Sequence, residues 1–308
     1  MARVLSLFVG VKRAETVEPV EDPVDEWRPS GAVLVAGLGL LLLLLTLYSA
    51  YGVLADAAGD FMATTLAALV LPTILVATIL TGVATGVVAV GRFANVDRIR
   101  SRLLFGALGG LPVGLLAMGG TVAAYHRGPA IPYVAVVVAL TGVLGGAVAA
   151  IRPVSAAAAG AAGGVAVTAI GLIVAYFQND LTDFFGNQET VGTMAIASAR
   201  LELTTSIVSG VLGGLVTYVY LRRTGVTLPW PAYLLAGAVP GLLTLAATLL
   251  GWIGRLPLVD FVRDRSAFDA QIIAGRLPEQ INHGMIVLFA GAFTAMIAVG
   301  RTLRRSAQ

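Results

Sequence analysis

The chain has 308 residues and a net charge of +3; 57% of residues are hydrophobic, only 12% are charged, and mean hydropathy is +0.89. A soluble domain carries about a quarter of its residues charged, so this composition lacks the polar surface to cover a water-facing globule. The absence of cysteine and a single lysine, Lys12, exclude disulfides, thiolate metal sites, cysteine nucleophiles and a Gly-Lys-Ser/Thr phosphate loop.

The first thirty residues read as a cytoplasmic segment. Residues 4–11 suit a short interfacial helix, and 14–29 form an acidic linker with Glu15, Glu18, Glu21, Asp22, Asp25, Glu26 and three prolines. Residues 31–300 then read as one transmembrane domain. Its apolar runs are 31–54, 61–90, 103–124, 132–151, 154–177, about 198–221, 228–253 and 281–300. Each matches the roughly 20 helical residues needed to cross a hydrocarbon core of about 30 Å. They show no period-two alternation and are about twice the length of a barrel strand. The expected fold class is therefore an all-α integral membrane bundle of eight transmembrane helices. Residues 254–280 read as an extracytoplasmic amphipathic loop, with Ser266-Ala267-Phe268-Asp269 opening a short helix that Gly275 closes. Phe261, Phe268 and Ile272 share one face of it. Residues 301–308 form a basic cytoplasmic tail. The first run follows an acidic stretch and is longer than a signal-peptide core, so it reads as a retained span despite Ala-Asp-Ala at 55–57.

Arginine placement sets the orientation. With the N-terminus inside, the cytoplasmic segments hold Arg3, Lys12, Arg13, Arg28, Arg92, Arg98, Arg100, Arg102, Arg152, Arg222, Arg223, Arg301, Arg304 and Arg305. That is 14 of the 20 basic residues. Trp230 and Trp252, 22 residues or about 33 Å of helix apart, mark both interfaces of the seventh run. Both termini are expected in the cytoplasm. The arginine-for-lysine bias and Gly-Ala-Val richness suit a GC-rich prokaryote, whose plasma membrane is the expected location.

The even runs share a pattern of small residues. Gly82 and Gly86 in the second, Gly142 and Gly146 in the fourth, and Gly210 and Gly214 in the sixth lie near the bilayer midplane, with Gly291 in the eighth. An arginine follows the first glycine after ten or twelve residues. Odd runs carry a second patch, Gly106 and Gly110, Gly160 and Gly164, Gly237 and Gly241. Between apolar helices in lipid, small residues four apart let backbones approach and gain van der Waals contact. The pattern suggests duplication, as four hairpins or as two four-helix halves.

Ionisable groups are missing from the inner and middle thirds of the runs and collect on the outer side. Arg200 and Glu202, with His126 and Arg127 after the third run and Asn282 and His283 before the eighth, are the candidate ligand-binding residues. No catalytic or metal motif and no cofactor fingerprint occurs, and nucleic acid is not an expected partner. The expected partners are the lipid bilayer and other membrane protein subunits. Transport association with an outer solute or lipid site is the first expectation; a non-catalytic scaffold is the second, and an enzyme acting on lipid-linked substrates the third. The orientation is testable: a reporter fused after Gln308 should be active only in the cytoplasm, and N-terminal sequencing should show no cleavage after Ala57. An externally active fusion would invert every loop.

Overall fold

The computed structural model describes residues 30–55, 57, 59–94, 98–125, 131–186, 190–225 and 228–305. The acidic N-terminal segment and the last three residues of the tail lie outside them, as do His126 and Arg127. The described residues form α1 (Ser30–Ala55), α2 (Gly59–Phe93), α3 (Ile99–Tyr125), α4 (Ile131–Val148), α5 (Val154–Tyr176), α6 (Gln178–Phe185), α7 (Val191–Thr224), α8 (Trp230–Arg263) and α9 (Ala267–Arg305), with no strand among them. Eight of these are long and apolar enough to span a membrane. The chain is an all-α, multi-pass membrane bundle. Arg92, Arg98, Arg152, Arg222 and Arg301 gather at one end of it, here the arginine end, where the first span begins and the last finishes.

Several helices outrun the bilayer. α7 and α8 have 34 residues each and α9 has 39, about 51–58 Å of helix against a core of roughly 30 Å. The surplus lies at the end opposite the arginines. Residues 254–280, expected as a loop, are therefore mostly helix: α8 continues to Arg263 and α9 starts at Ala267. Ser266 does open the second helix, its Oγ accepting from the Asp269 N–H at 3.2 Å. Gly275 and Pro278 do not stop it. Burial explains why the breakers lose. A helical glycine costs about 1 kcal/mol and a proline about 3, whereas full burial of a large aliphatic side chain in water returns about 1.5–3. Leu258, Val262, Ala270 and Ile273 are all buried there. Pro257 leaves the carbonyl of Ile253 without its helical donor, and the Tyr133 hydroxyl donates to that oxygen at 3.4 Å. Phe268 and Ile272, expected to share one face, are both exposed, and Ala270 and Ile273 are buried instead.

The sixth span also starts earlier than expected. Thr190 and Thr193 form a reciprocal cap, and helix runs from Val191. Before it, α6 lies with Phe184 exposed.

The spans divide into two four-helix sets with the same packing. In the first, α2 packs on α1, α3 and α4, and α3 packs on α4; in the second, α7 packs on α5, α8 and α9, and α8 packs on α9. One glycine contact locks each set. A Cβ added to Gly106 of α3 would lie 2.5 Å from the Gly146 oxygen of α4, and one added to Gly86 of α2 would lie 2.6 Å from that same atom. In the second set Gly291 of α9 takes the role of Gly146: a Cβ on Gly237 of α8 would lie 2.5 Å from its oxygen, and one on Gly214 of α7 would meet the same backbone. Real Cβ atoms do not come so close, so only glycine allows these three backbones to meet. Gly291 thus corresponds to Gly146, one turn from the register suggested by its sequence context. Gly82, Gly110 and Gly142 extend the first seam, and Gly210 and Gly241 the second. Gly160 lies against Val239 of α8 and Gly164 against Leu80 of α2. α2 packs on α5 and α8 as well, and with α1 on α5 and α4 on α8 it joins the sets.

Gly146→Ala and Gly291→Ala should each destabilise the protein by roughly 1–3 kcal/mol, the usual cost of overpacking. Gly119→Ala and Gly171→Ala, where an added Cβ meets nothing within 4 Å, should not. Thermal unfolding in detergent or lipid reads the difference; equal melting temperatures for all four variants would remove the seam from the fold's energetics.

Candidate functional site

Depth follows from counting along the helices. Glu202 lies 20 residues from Arg222, and His283 lies 18 residues from Arg301, about 30 and 27 Å along helix. Both therefore sit at the hydrocarbon boundary farthest from the arginine end. Here α7 and α9 meet through side chains: Ser206 Oγ and His283 Nδ1 are 2.7 Å apart. Ser206 Oγ also donates to the Glu202 carbonyl at 2.7 Å. With its one proton so placed, the hydroxyl is left to accept from Nδ1–H. Glu202 is half-buried, and two α9 charges act on it, Glu279 of like sign and Arg276 of opposite sign. Arg276 and Glu279 pair with each other at 3.5 Å in an exposed position.

A second polar contact lies between α8 and α9. Arg255 is 2% exposed. Its Nε donates to the Gly251 carbonyl at 3.2 Å and its Nη2 to Gln280 Oε1 at 3.1 Å. Nη1 is buried without a hydrogen-bond partner. A helix places residues three, four and seven apart on neighbouring lines, so Arg276, Glu279 and His283 run along one side of α9 while Gln280 and Gly284 turn towards α8. Gly284 lies against Leu245 of that helix.

The two sets can be compared position by position through the glycine equivalences Gly86–Gly214, Gly106–Gly237 and Gly146–Gly291. Glu202 then corresponds to Ile74, Ser206 to Thr78, His283 to Val138, Gln280 to Ala135 and Arg255 to Ala124. At the equivalent positions the Thr78 hydroxyl donates to the Ile74 carbonyl at 2.7 Å and Ser206 to that of Glu202, the back-bond that most helical threonines of this chain make. Ile74, Val138, Ala135 and Ala124 are all buried. The same frame is built twice, apolar at this level in the first set and polar in the second.

Of the residues expected to converge, the structure brings Glu202 and His283 close through Ser206. Arg200 is exposed, as two-residue spacing on a helix dictates, and so is Asn282. His126 and Arg127 are not described, and α3, the helix preceding them, is not among those packed on α7, which are α5, α6, α8 and α9. Among the described residues no group of three potential ligands could hold a metal ion. Ser206, Gln280 and Arg255 escaped the sequence reading. Ser206 was four residues from Glu202, and Arg255 lay four from Gly251 on a helix taken to have ended.

In comparison with known proteins, no family model, no curated protein and no solved structure matches this chain.

Hydrogen bonds between membrane helices contribute about 0.6 kcal/mol on average and up to about 1.7. Ser206→Ala should cost an amount in that range in a reversible unfolding assay. Arg200→Gln, on an exposed side chain, should stay within about 0.5 kcal/mol of the parent. A larger loss at Arg200 than at Ser206 would reverse the roles given to them.

Proposed function

We propose that this is a non-enzymatic, transport-associated membrane protein, permease-like in character, that engages a polar solute or lipid headgroup at the outer face of the membrane. In this reading the arginine end is cytoplasmic, by the loop-charge bias, and the site is the outer end of α7, α8 and α9. The observation that supports it is the difference between the two sets. Packing alone is satisfied at this level by Ile74, Val138, Ala135 and Ala124, so the frame itself does not require Glu202, His283, Gln280 and Arg255. Polar and ionisable groups near hydrocarbon are costly, and their presence in one copy suits a recognition role. Duplication of a helical unit is itself common among transporters. Glycine contacts at the midplane leave rigid-body movement of one set against the other as the mode of opening.

The test restores the apolar pattern of the first set. Glu202→Ile with His283→Val should fold with stability close to that of the parent. In a thermal-shift panel of amino acids, sugars, inorganic ions and short-chain phospholipids, at least one class should stabilise the parent and fail to stabilise the variant. A panel that never distinguishes the two proteins, together with co-purification of the parent with other membrane subunits, would support the scaffold reading instead.

A further inference from the structure

Among the described residues at this end, Arg255 is a buried charge that no anion answers. A guanidinium taken out of water loses its hydration, a cost that only an anion and a full set of hydrogen bonds offset. Arg255 is 2% exposed and has no salt bridge with any described residue. Its partners are neutral, the Gly251 carbonyl and the Gln280 amide, and Nη1 has none. The position is not forced by packing, because the equivalent residue in the first set is a buried alanine, Ala124.

We infer that Arg255 is the receiving group of an oxyanion site in the seam between α8 and α9, where a phosphate group, from a lipid headgroup or a free solute, binds end-on to Nη1 and Nη2. The planar fork of arginine presents these two nitrogens side by side and takes two oxygens of one anion through parallel hydrogen bonds. Nε stays on the Gly251 carbonyl and fixes the plane. Nη1 is already vacant, and Nη2 is held by Gln280, which is half-buried. The anion therefore enters along the Gln280 side of the seam and displaces its amide oxygen. Depth agrees with a phosphate at the membrane surface: Gln280 lies 21 residues from Arg301, about 31 Å along α9 and so at the hydrocarbon boundary.

This inference rests on the reading that the outer end of the second set binds a ligand, and the experiment separates the two. The full chain, purified in a non-ionic detergent, is titrated with inorganic phosphate, with dihexanoyl phosphatidylglycerol and with uncharged dihexanoylglycerol, and thermal unfolding is followed. One or both phosphate probes should raise the melting temperature saturably, by several degrees, while the uncharged lipid does not. A response to phosphatidylglycerol alone identifies a lipid source, and a response to inorganic phosphate identifies a soluble one. Arg255→Met should abolish the response and, ligand-free, melt at or above the parent, since it removes an uncompensated charge. Gln280→Ala, tested in parallel so that the result does not depend on one variant folding, should bind the same probe several-fold more tightly because the competing amide is gone. Absence of any phosphate response in the parent, or an unchanged response in Arg255→Met, overturns the inference. Weaker binding by Gln280→Ala also overturns it. A response to an uncharged solute that is lost in Glu202→Ile with His283→Val but kept in Arg255→Met would leave the broader reading standing and this one refuted.

Discussion

The fold depends on how closely three apolar helices can approach in a solvent as apolar as they are. Lipid supplies little hydrophobic drive between helices, so contact must come from short-range attraction and weak polar terms, both of which fall off within an ångström. Gly86, Gly106 and Gly146 bring three backbones together at one point, and Gly214, Gly237 and Gly291 do so again. At such distances Cα–H groups also meet carbonyl oxygens, a second-order attraction that recurs at helix interfaces. Threonines add bonds between helices: the Thr81 hydroxyl donates to the Gly39 carbonyl of α1 at 2.9 Å, and Thr217 donates to the Ala159 carbonyl of α5 at 3.2 Å. Each set of four helices is thus tied at its centre by groups that cannot be enlarged.

Tying the helices at the midplane frees their ends. In the first set the level far from the arginines remains apolar, and the Tyr125 hydroxyl reaches across to the Ala67 carbonyl of α2 at 2.9 Å. In the second, α7, α8 and α9 continue past the bilayer and carry charge on the way out. Arg263 with Asp260, and Arg276 with Glu279, are exposed pairs of the kind that contribute little to stability. The groups with consequence lie one level deeper. His283, Ser206 and Glu202 form one seam and Arg255 with Gln280 the other, both held by helices whose relative positions are already fixed below.

Much of this was legible in the residues. Composition and run length establish a helical membrane protein with eight spans, and the glycine patches mark the helix faces that touch. What sequence could not supply was the register between copies, because Gly291 sits in an Ala-Gly-Ala context resembling that of Gly142 while it packs as Gly146 does. Nor could it supply the helical hairpin of α8 and α9. Gly254, Pro257, Gly275 and Pro278 within twenty-five residues read as breaks, and only the burial of Leu258, Val262 and Ile273 against neighbouring helices outweighs them. Glu202 and His283 were legible as outliers in apolar runs. Arg255 was not, since a residue placed in a loop carries no expectation of burial.

The chain contains two four-helix sets in one register, the second bearing polar groups where the first bears aliphatic ones. Because the protein has no cysteine, pairs of introduced cysteines test that register directly. Ser206→Cys with His283→Cys joins α7 to α9, and Thr78→Cys with Val138→Cys is the equivalent pair joining α2 to α4. A short bis-methanethiosulfonate reagent, applied to the protein in lipid, should cross-link both pairs to a similar extent. Ser206→Cys with Ala124→Cys, which pairs α7 with α3, should remain unlinked. Cross-linking of the first pair without the second, or efficient linking of α7 to α3, would contradict the two-set architecture and the equivalence on which the site was recognised.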